Sequence, residues 1–343
     1  MCRTHALRLG EVARGEGAEV REGSLLCTNS RCQREHPILD GIPILVPDLH
    51  AWLEPQQHWV LRREDLSPFA LSMLTDILGA GSALDRELGN LSTYAEAHWG
   101  PREPSFPPLV AETLDLLPST PRAPALDLGC SVGRATFELA RRTGRLTTGV
   151  DLNFSMLRLA EQIRRQGRAR YPRRRVGIVF DPVDCVSPYE ATGQVSFWCA
   201  DIAALPFAEA SFATVISLNI LDCLAAPHSL LSETARLLAP SGQALIATPF
   251  DWAVSASPAG AWIGGHSQRT TPGEGSSVEI FRHLLPHYGL RLLAERESLL
   301  WRLRVHERST MEYSVYAAAL TKSERPPESI GAAFTGQKEL PGA

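Results

Sequence analysis

No apolar run in this 343-residue chain reaches 18 residues, so no membrane-spanning helix is expected. The opening Met-Cys-Arg-Thr-His has no apolar stretch behind its charge, which argues against a signal peptide. Net charge is only −4, too small and of the wrong sign for a dominant non-specific grip on nucleic acid or an anionic membrane. Two nucleotide motifs are missing. No Gly-x-x-x-x-Gly-Lys-Ser/Thr phosphate loop occurs, and no Gly-x-Gly-x-x-Gly: counted from Gly129, its second glycine falls on Ser131 and its third on Arg134. The seven cysteines, an odd number, do not suggest a disulfide framework. Cys130, Cys185, Cys199 and Cys223 are scattered and read as reduced, mostly buried thiols, which fits a cytoplasmic setting.

What is present suits a globular protein of two or three domains, with 44% apolar residues. The most informative stretch is Leu126-Asp-Leu-Gly-Cys-Ser-Val-Gly133. An apolar strand, Ala125–Leu128, runs into a glycine turn, and a helical pattern (Ala135, Phe137, Leu139, Ala140) follows at once. Glycines let the backbone approach a ligand, and the helix start presents unpaired N–H groups. A second strand over 146–150 ends in Asp151. A third, Val195–Cys199, leads to Asp201-Ile202, and a fourth, over 213–218, ends in Asn219-Ile-Leu-Asp222. A helix over 229–238, the turn Pro240-Ser-Gly242 and a fifth strand over 244–248 follow. Strands and helices alternating in this way predict a doubly wound parallel sheet.

The motif Asp127-x-Gly129-x-Ser131-x-Gly133, with acids at the tips of the next two strands, resembles class I S-adenosylmethionine (SAM)-dependent methyltransferases. The resemblance covers roughly residues 110–320. It implies a seven-stranded Rossmann-like sheet, closed by an antiparallel pair from two late β-rich runs over 290–295 and 313–320. It also implies a cofactor site. Asp127, Gly129, Ser131 and Gly133 would form its first turn, and Asp151 with Leu152 would take the ribose. Asp201 and Ile202 would meet the adenine, and Asn219 would close the site after the fourth strand. An aromatic before the first motif covers the methionine end in many relatives, and Tyr94, with His98 and Trp99 nearby, is the candidate.

The N-terminus carries Cys2-x-x-His5 and Cys27-x4-Cys32, two close pairs that suit a tetrahedral zinc ion. A module of about 50 residues is too small for a self-sufficient core, so a metal would help it fold. The run His36-Pro-Ile-Leu-Asp-Gly-Ile-Pro-Ile-Leu-Val-Pro47 resembles the segment after the second cysteine pair in zinc-ribbon activator subunits of tRNA and protein methyltransferases. His5 replaces a cysteine of that pattern, and the second pair is two residues wider. Cys32-x3-His36 offers another ligand set, seen in a ribosomal-RNA guanine methyltransferase, so the fourth ligand is His5 or His36.

These readings divide the chain into a zinc-ribbon-like module (1–50), a helical linker and cofactor-covering segment (51–109), a SAM-binding domain (110–321) and a disordered tail (322–343). Seven arginines lie between Arg164 and Arg175, a cluster that can meet phosphates but is usually a solvated face. After the fifth strand, Asp251-Trp252 and Trp262-Ile-Gly-Gly-His266 leave the binding edge of the sheet. His266 is a candidate general base and Asp222 a second one. No Asn-Pro-Pro-Tyr or Asp-Pro-Pro-Tyr follows the fourth strand, which counts against amino methylation of bases. The favoured function is methyl transfer from SAM to a small-molecule or peptide-like acceptor, with SAM and zinc as the bound groups. An RNA methyltransferase that grips RNA through the ribbon and the arginines is the alternative, and a non-catalytic SAM-binding or docking module is a third reading. Oligomeric state is not legible.

Overall fold

The computed structural model describes residues 5–16, 19–32, 34–46, 48–63, 65–102, 104–189, 194–266 and 272–323. In chain order the elements are β1 (Leu7–Glu16), β2 (Glu19–Cys27), β3 (Glu35–Leu39), β4 (Ile42–Pro43), α1 (Leu49–Leu53), α2 (His58–Arg62), α3 (Pro68–Leu78), α4 (Ala83–Trp99) and α5 (Phe106–Leu114). They continue with β5 (Ala125–Leu128), α6 (Arg134–Thr143), β6 (Thr147–Asp151), α7 (Phe154–Gln166), β7 (Arg168–Val176), β8 (Val179–Val186), β9 (Val195–Cys199) and β10 (Phe212–Leu218). The last are α8 (Pro227–Leu237), β11 (Leu238–Thr248), α9 (Ser277–Leu284), β12 (Leu290–His306) and β13 (Ser309–Lys322). The chain divides into two compact units.

The first unit holds Met1–Thr93, Arg170–Asp184 and Arg304–Thr310. Its four-stranded sheet runs β1-β2-β3-β4, all antiparallel. Helix α1 starts at Asp48, whose carboxylate accepts from Ala51 N–H at 3.0 Å, and α3 starts at Ser67 ahead of Pro68. Leu39 of β3 shares a buried cluster with Leu53, Val60, Leu74, Leu78, Leu84 and Leu88. The expectation of a module too small to fold without metal therefore needs correction, because helices α1–α4 supply a core. Glu22, fully buried in β2, is paired with Arg14 and accepts from Ser67 N–H at 2.8 Å.

The arginine cluster is also spent internally. On the β7–β8 ribbon, Arg170 pairs with Asp184 at 3.1 Å, and Arg173 and Arg175 pair with Asp181. Arg174 pairs with Asp85 at 2.7 Å and lies 4.7 Å over the Phe180 ring. Arg164 and Arg165 both hold Glu161 at 2.6 Å within α7. Carboxylates on these arginines lower the local positive potential that would draw RNA.

The second unit holds Tyr94–Ala169, Cys185–Leu303 and Met311–Ala343. Its seven-stranded sheet has the order β12-β13-β11-β10-β5-β6-β9. Strands β9, β6, β5, β10 and β11 are parallel, and β13 runs antiparallel to β11. This is the expected Rossmann-like arrangement. Both faces are covered, which explains the near-continuous apolar strands. Leu126, Leu128, Val215 and Ile246 pack with α8 and α9 (Leu230, Leu237, Phe281). Ala125, Ile216, Leu245 and Ala247 pack with α5 and α6 (Leu109, Leu114, Leu139).

Some boundaries differ from expectation. Asp151 lies inside β6, and β11 begins at Leu238, with a register break across the Pro-Ser-Gly turn. Strands β12 and β13 are 17 and 14 residues long, far longer than the runs read from sequence. Pairing of β13 with β11 runs from Thr321 to Tyr316, so residues 309–315 extend past the parallel strands. The chain leaves β5 for β6 and β9 on one side and returns to β10 and β11 on the other. That reversal opens a crevice at the C-terminal ends of β5 and β10.

Candidate active site

Strand β5 ends at Leu128, and the turn to α6 needs three positive backbone φ angles: Gly129 at 78°, Ser131 at 50° and Gly133 at 84°. Gly129 and Cys130 both donate their N–H to Val150 O at 2.9 Å, which ties the turn to β6. A Cβ on Gly129 would lie 2.8 Å from Ile220, and one on Gly133 would lie 2.7 Å from the Phe197 ring. Close approach and backbone conformation therefore both demand glycine at these two sites. Asp151, at the tip of β6, accepts from Ser131 N–H at 2.8 Å on one oxygen and from Asn153 N–H at 2.7 Å on the other. Asp127 is buried and accepts from Thr136 Oγ1 at 2.6 Å.

An open cleft lies over this turn. Gly129, Cys130, Ser131, Asp127, Asp151 and Asn153 line it. Tyr94, His98, Phe106, Asn219, Ile220, Cys223 and Trp301 line it as well. The sequence-expected residues Tyr94, Asp127, Gly129, Ser131, Asp151 and Asn219 thus come together, with Gly133 at the end of the turn. Leu152, next to Asp151, is exposed. Asp201 accepts from Ala203 N–H at 2.8 Å and caps its own short turn, with Ile202 buried beside it. Two expected catalytic residues are not among those lining the cleft. Asp222 is buried and accepts from Asp251 N–H at 2.6 Å, so its carboxylate holds the loop after β11. His266 ends a stack of rings, 5.8 Å from Trp262, which lies 6.1 Å from Trp252.

Electrostatics in the cleft are set by burial. Asp127 is pushed up to about 7 by desolvation, which outweighs the Thr136 hydrogen bond. Burial also raises Asp151, against the backbone N–H groups of Asn153, Ser131 and Leu152, which favour its charged form. His98 is pulled down to about 3 by burial, with Arg134 adding to the effect, so its imidazole is neutral. Among the described residues, no lysine or arginine lines the cleft.

Several buried polar atoms have no hydrogen-bond partner among the described residues: both amide atoms of Asn219, Nδ1 of His98 and Nε1 of Trp301. Unpaired buried groups are costly and point to a ligand. Asn219 also holds a positive φ of 57°. Sequence reasoning named Asn219 and placed His98 near Tyr94 but missed Trp301. Trp301 sits in the middle of a β run more than 200 residues from His98, and no local signal could have found it.

At the other end of the chain, the zinc expectation finds no support. Among the described residues, no group of three or more His, Cys, Asp or Glu side chains could hold a metal ion. Cys27 and His36 are buried in β2 and β3, and His5 and Cys32 join them in no such group; Cys2 lies outside the described residues. The expected tail also lies outside them from residue 324 onward. Among the described residues, no helix is long and apolar enough to cross a membrane.

A family model described as "Methyltransferase domain" matches residues 126–246, the stretch from β5 to β11 that builds the crevice. Residues 126–246 thus resemble a methyltransferase domain over about a third of the chain. A curated relative, "Methyltransferase GfsG" of Streptomyces halstedii, is 28% identical over 123 residues, which is 36% of this chain and 36% of that protein. The chain thus matches about a third of that relative's length. Among solved structures, the N-methyltransferase NodS from Bradyrhizobium japonicum is 15% identical, covering 65% of this chain and 99% of that chain at a TM-score of 0.41. A geranyl diphosphate methyltransferase in complex with SAM is 13% identical, covering 63% of this chain and 84% of that chain at a TM-score of 0.42.

Proposed function

We propose that the protein moves a methyl group from SAM to a small-molecule acceptor bound in the cleft of the methyltransferase domain. One observation carries the reading: a glycine turn, the acids Asp127 and Asp151 and the unpartnered Asn219 amide line one cleft, and among the described residues no cationic side chain lines it. Such a lining suits a cationic nucleoside ligand and disfavours a phosphorylated one. When bound, SAM supplies a methyl group activated by a sulfonium, with a neutral thioether as leaving group.

The chain's own residues bind and orient. Asp151 takes the ribose hydroxyls with the lone pairs its N–H donors leave free. Asp201 and Ile202 serve the adenine edge, and exposed Leu152 covers the ring. Gly129, Ser131 and Gly133 let the backbone close in, and Asp127 braces that turn through Thr136. Tyr94 covers the amino-acid end, and Asn219 closes the site. Alignment of acceptor and methyl group is the main catalytic task, which accounts for a site with few acid–base residues.

Calorimetric titration of SAM and S-adenosylhomocysteine into wild type and Asp151→Ala tests the reading. Micromolar binding should weaken at least tenfold in the variant, about 1.4 kcal/mol. Folded wild type that binds neither ligand overturns the proposal.

A further inference from the structure

The cleft has an aromatic end whose unpaired atoms describe the acceptor. Trp301 packs 6.5 Å from Tyr94, 6.0 Å from Phe106 and 5.5 Å from Tyr313 between ring centroids. Trp301 and His98 are 4% and 3% exposed, yet Nε1 of the first and Nδ1 of the second have no partner.

Each candidate handle on a ligand can be weighed against this set. The indole N–H only donates, so the ligand must bring an acceptor there. An ammonium brings donors alone and would leave Trp301 unpaired. A carboxylate brings acceptors but would sit in the field of Asp222 and Asp251, both of which act on the neighbouring Tyr313. A hydroxyl does both: it accepts from the indole and donates to neutral His98. The aromatic lining suits an apolar aromatic body.

We propose that the acceptor is a neutral aromatic compound bearing a hydroxyl group, its ring against Phe106 and Trp301 and its hydroxyl between Trp301 Nε1 and His98 Nδ1. The proposal rests on the methyltransferase reading, because it takes the rest of the cleft to be the cofactor's.

Three probes with one ring system separate the possibilities: 1-naphthol, 1-naphthoate and 1-naphthylmethylamine, the last two charged at neutral pH. Each is titrated calorimetrically into the full chain, with and without saturating S-adenosylhomocysteine, and into Trp301→Phe, which keeps a ring and loses the N–H. The naphthol should bind at least tenfold more tightly than either charged probe. Trp301→Phe should lower naphthol affinity at least fivefold while its affinity for S-adenosylhomocysteine stays within twofold of wild type. Equal or tighter binding of the carboxylate or the ammonium overturns the proposal, as does an undiminished naphthol affinity in Trp301→Phe. Loss of the cofactor reading has its own signature: S-adenosylhomocysteine does not bind wild type, whatever the naphthol series shows.

Discussion

Asp127→Asn gives the most direct test of how the first turn is held. The carboxyl is 1% exposed, and its hydrogen-bond donor is Thr136 Oγ1 at 2.6 Å. In the folded chain it keeps its proton until about pH 7. In the unfolded chain a carboxyl of this type releases it near 4. Between those values the folded state binds more protons than the unfolded state, so this group makes stability fall as pH rises. Its contribution is fully present below the unfolded value and is lost as pH climbs through about 7. Three units at about 1.4 kcal/mol each give a swing of roughly 4 kcal/mol. Asparagine keeps the shape and the acceptor for Thr136 but does not titrate. Urea unfolding of ligand-free wild type and variant, from pH 4 to pH 8, should show the variant less sensitive to pH, with the two curves diverging above pH 5. Parallel stability curves would refute the assignment of a proton to buried Asp127.

Gly133→Ala combines a φ of 84° with a Cβ 2.7 Å from the Phe197 ring, so a loss of about 2 kcal/mol is expected in urea midpoints, together with weaker S-adenosylhomocysteine binding. Arg174→Ala strands Asp85 and uncovers Phe180; stability should drop by about 2–3 kcal/mol, read as a melting temperature several degrees lower. Asp222→Ala frees the Asp251 N–H and loosens the loop in which Phe250 holds a φ of 53°, at about 2 kcal/mol; Asp222→Asn should recover much of it in the same melts.

The cleft was legible only in part. Asp151 and the glycine turn could be read because strand, turn and helix are neighbours in the chain, and a positive φ leaves a mark in residue type. Asp201 could be located but not its bond, since it caps its own turn through Ala203 N–H. His266 and Asp222 were read as bases from their place after strands. Their rings and carboxylates turned out to serve a stack and a loop. Nothing in a local window says which way a side chain after a strand will turn.

Sequence by itself determined the alternation of strands and helices, the doubly wound sheet and the backbone of the first turn, because these follow from periodicity and from φ angles that only some residues tolerate. Tertiary structure decided the rest. The arginines met acids such as Asp85, 89 residues from Arg174. The N-terminal strands gained a core from helices up to Leu88. Trp301 of β12 came to face the cleft beside Tyr94 and His98. Charge pairing, burial and an unsatisfied N–H depend on what lies opposite in space, and distance along the chain carries no record of that.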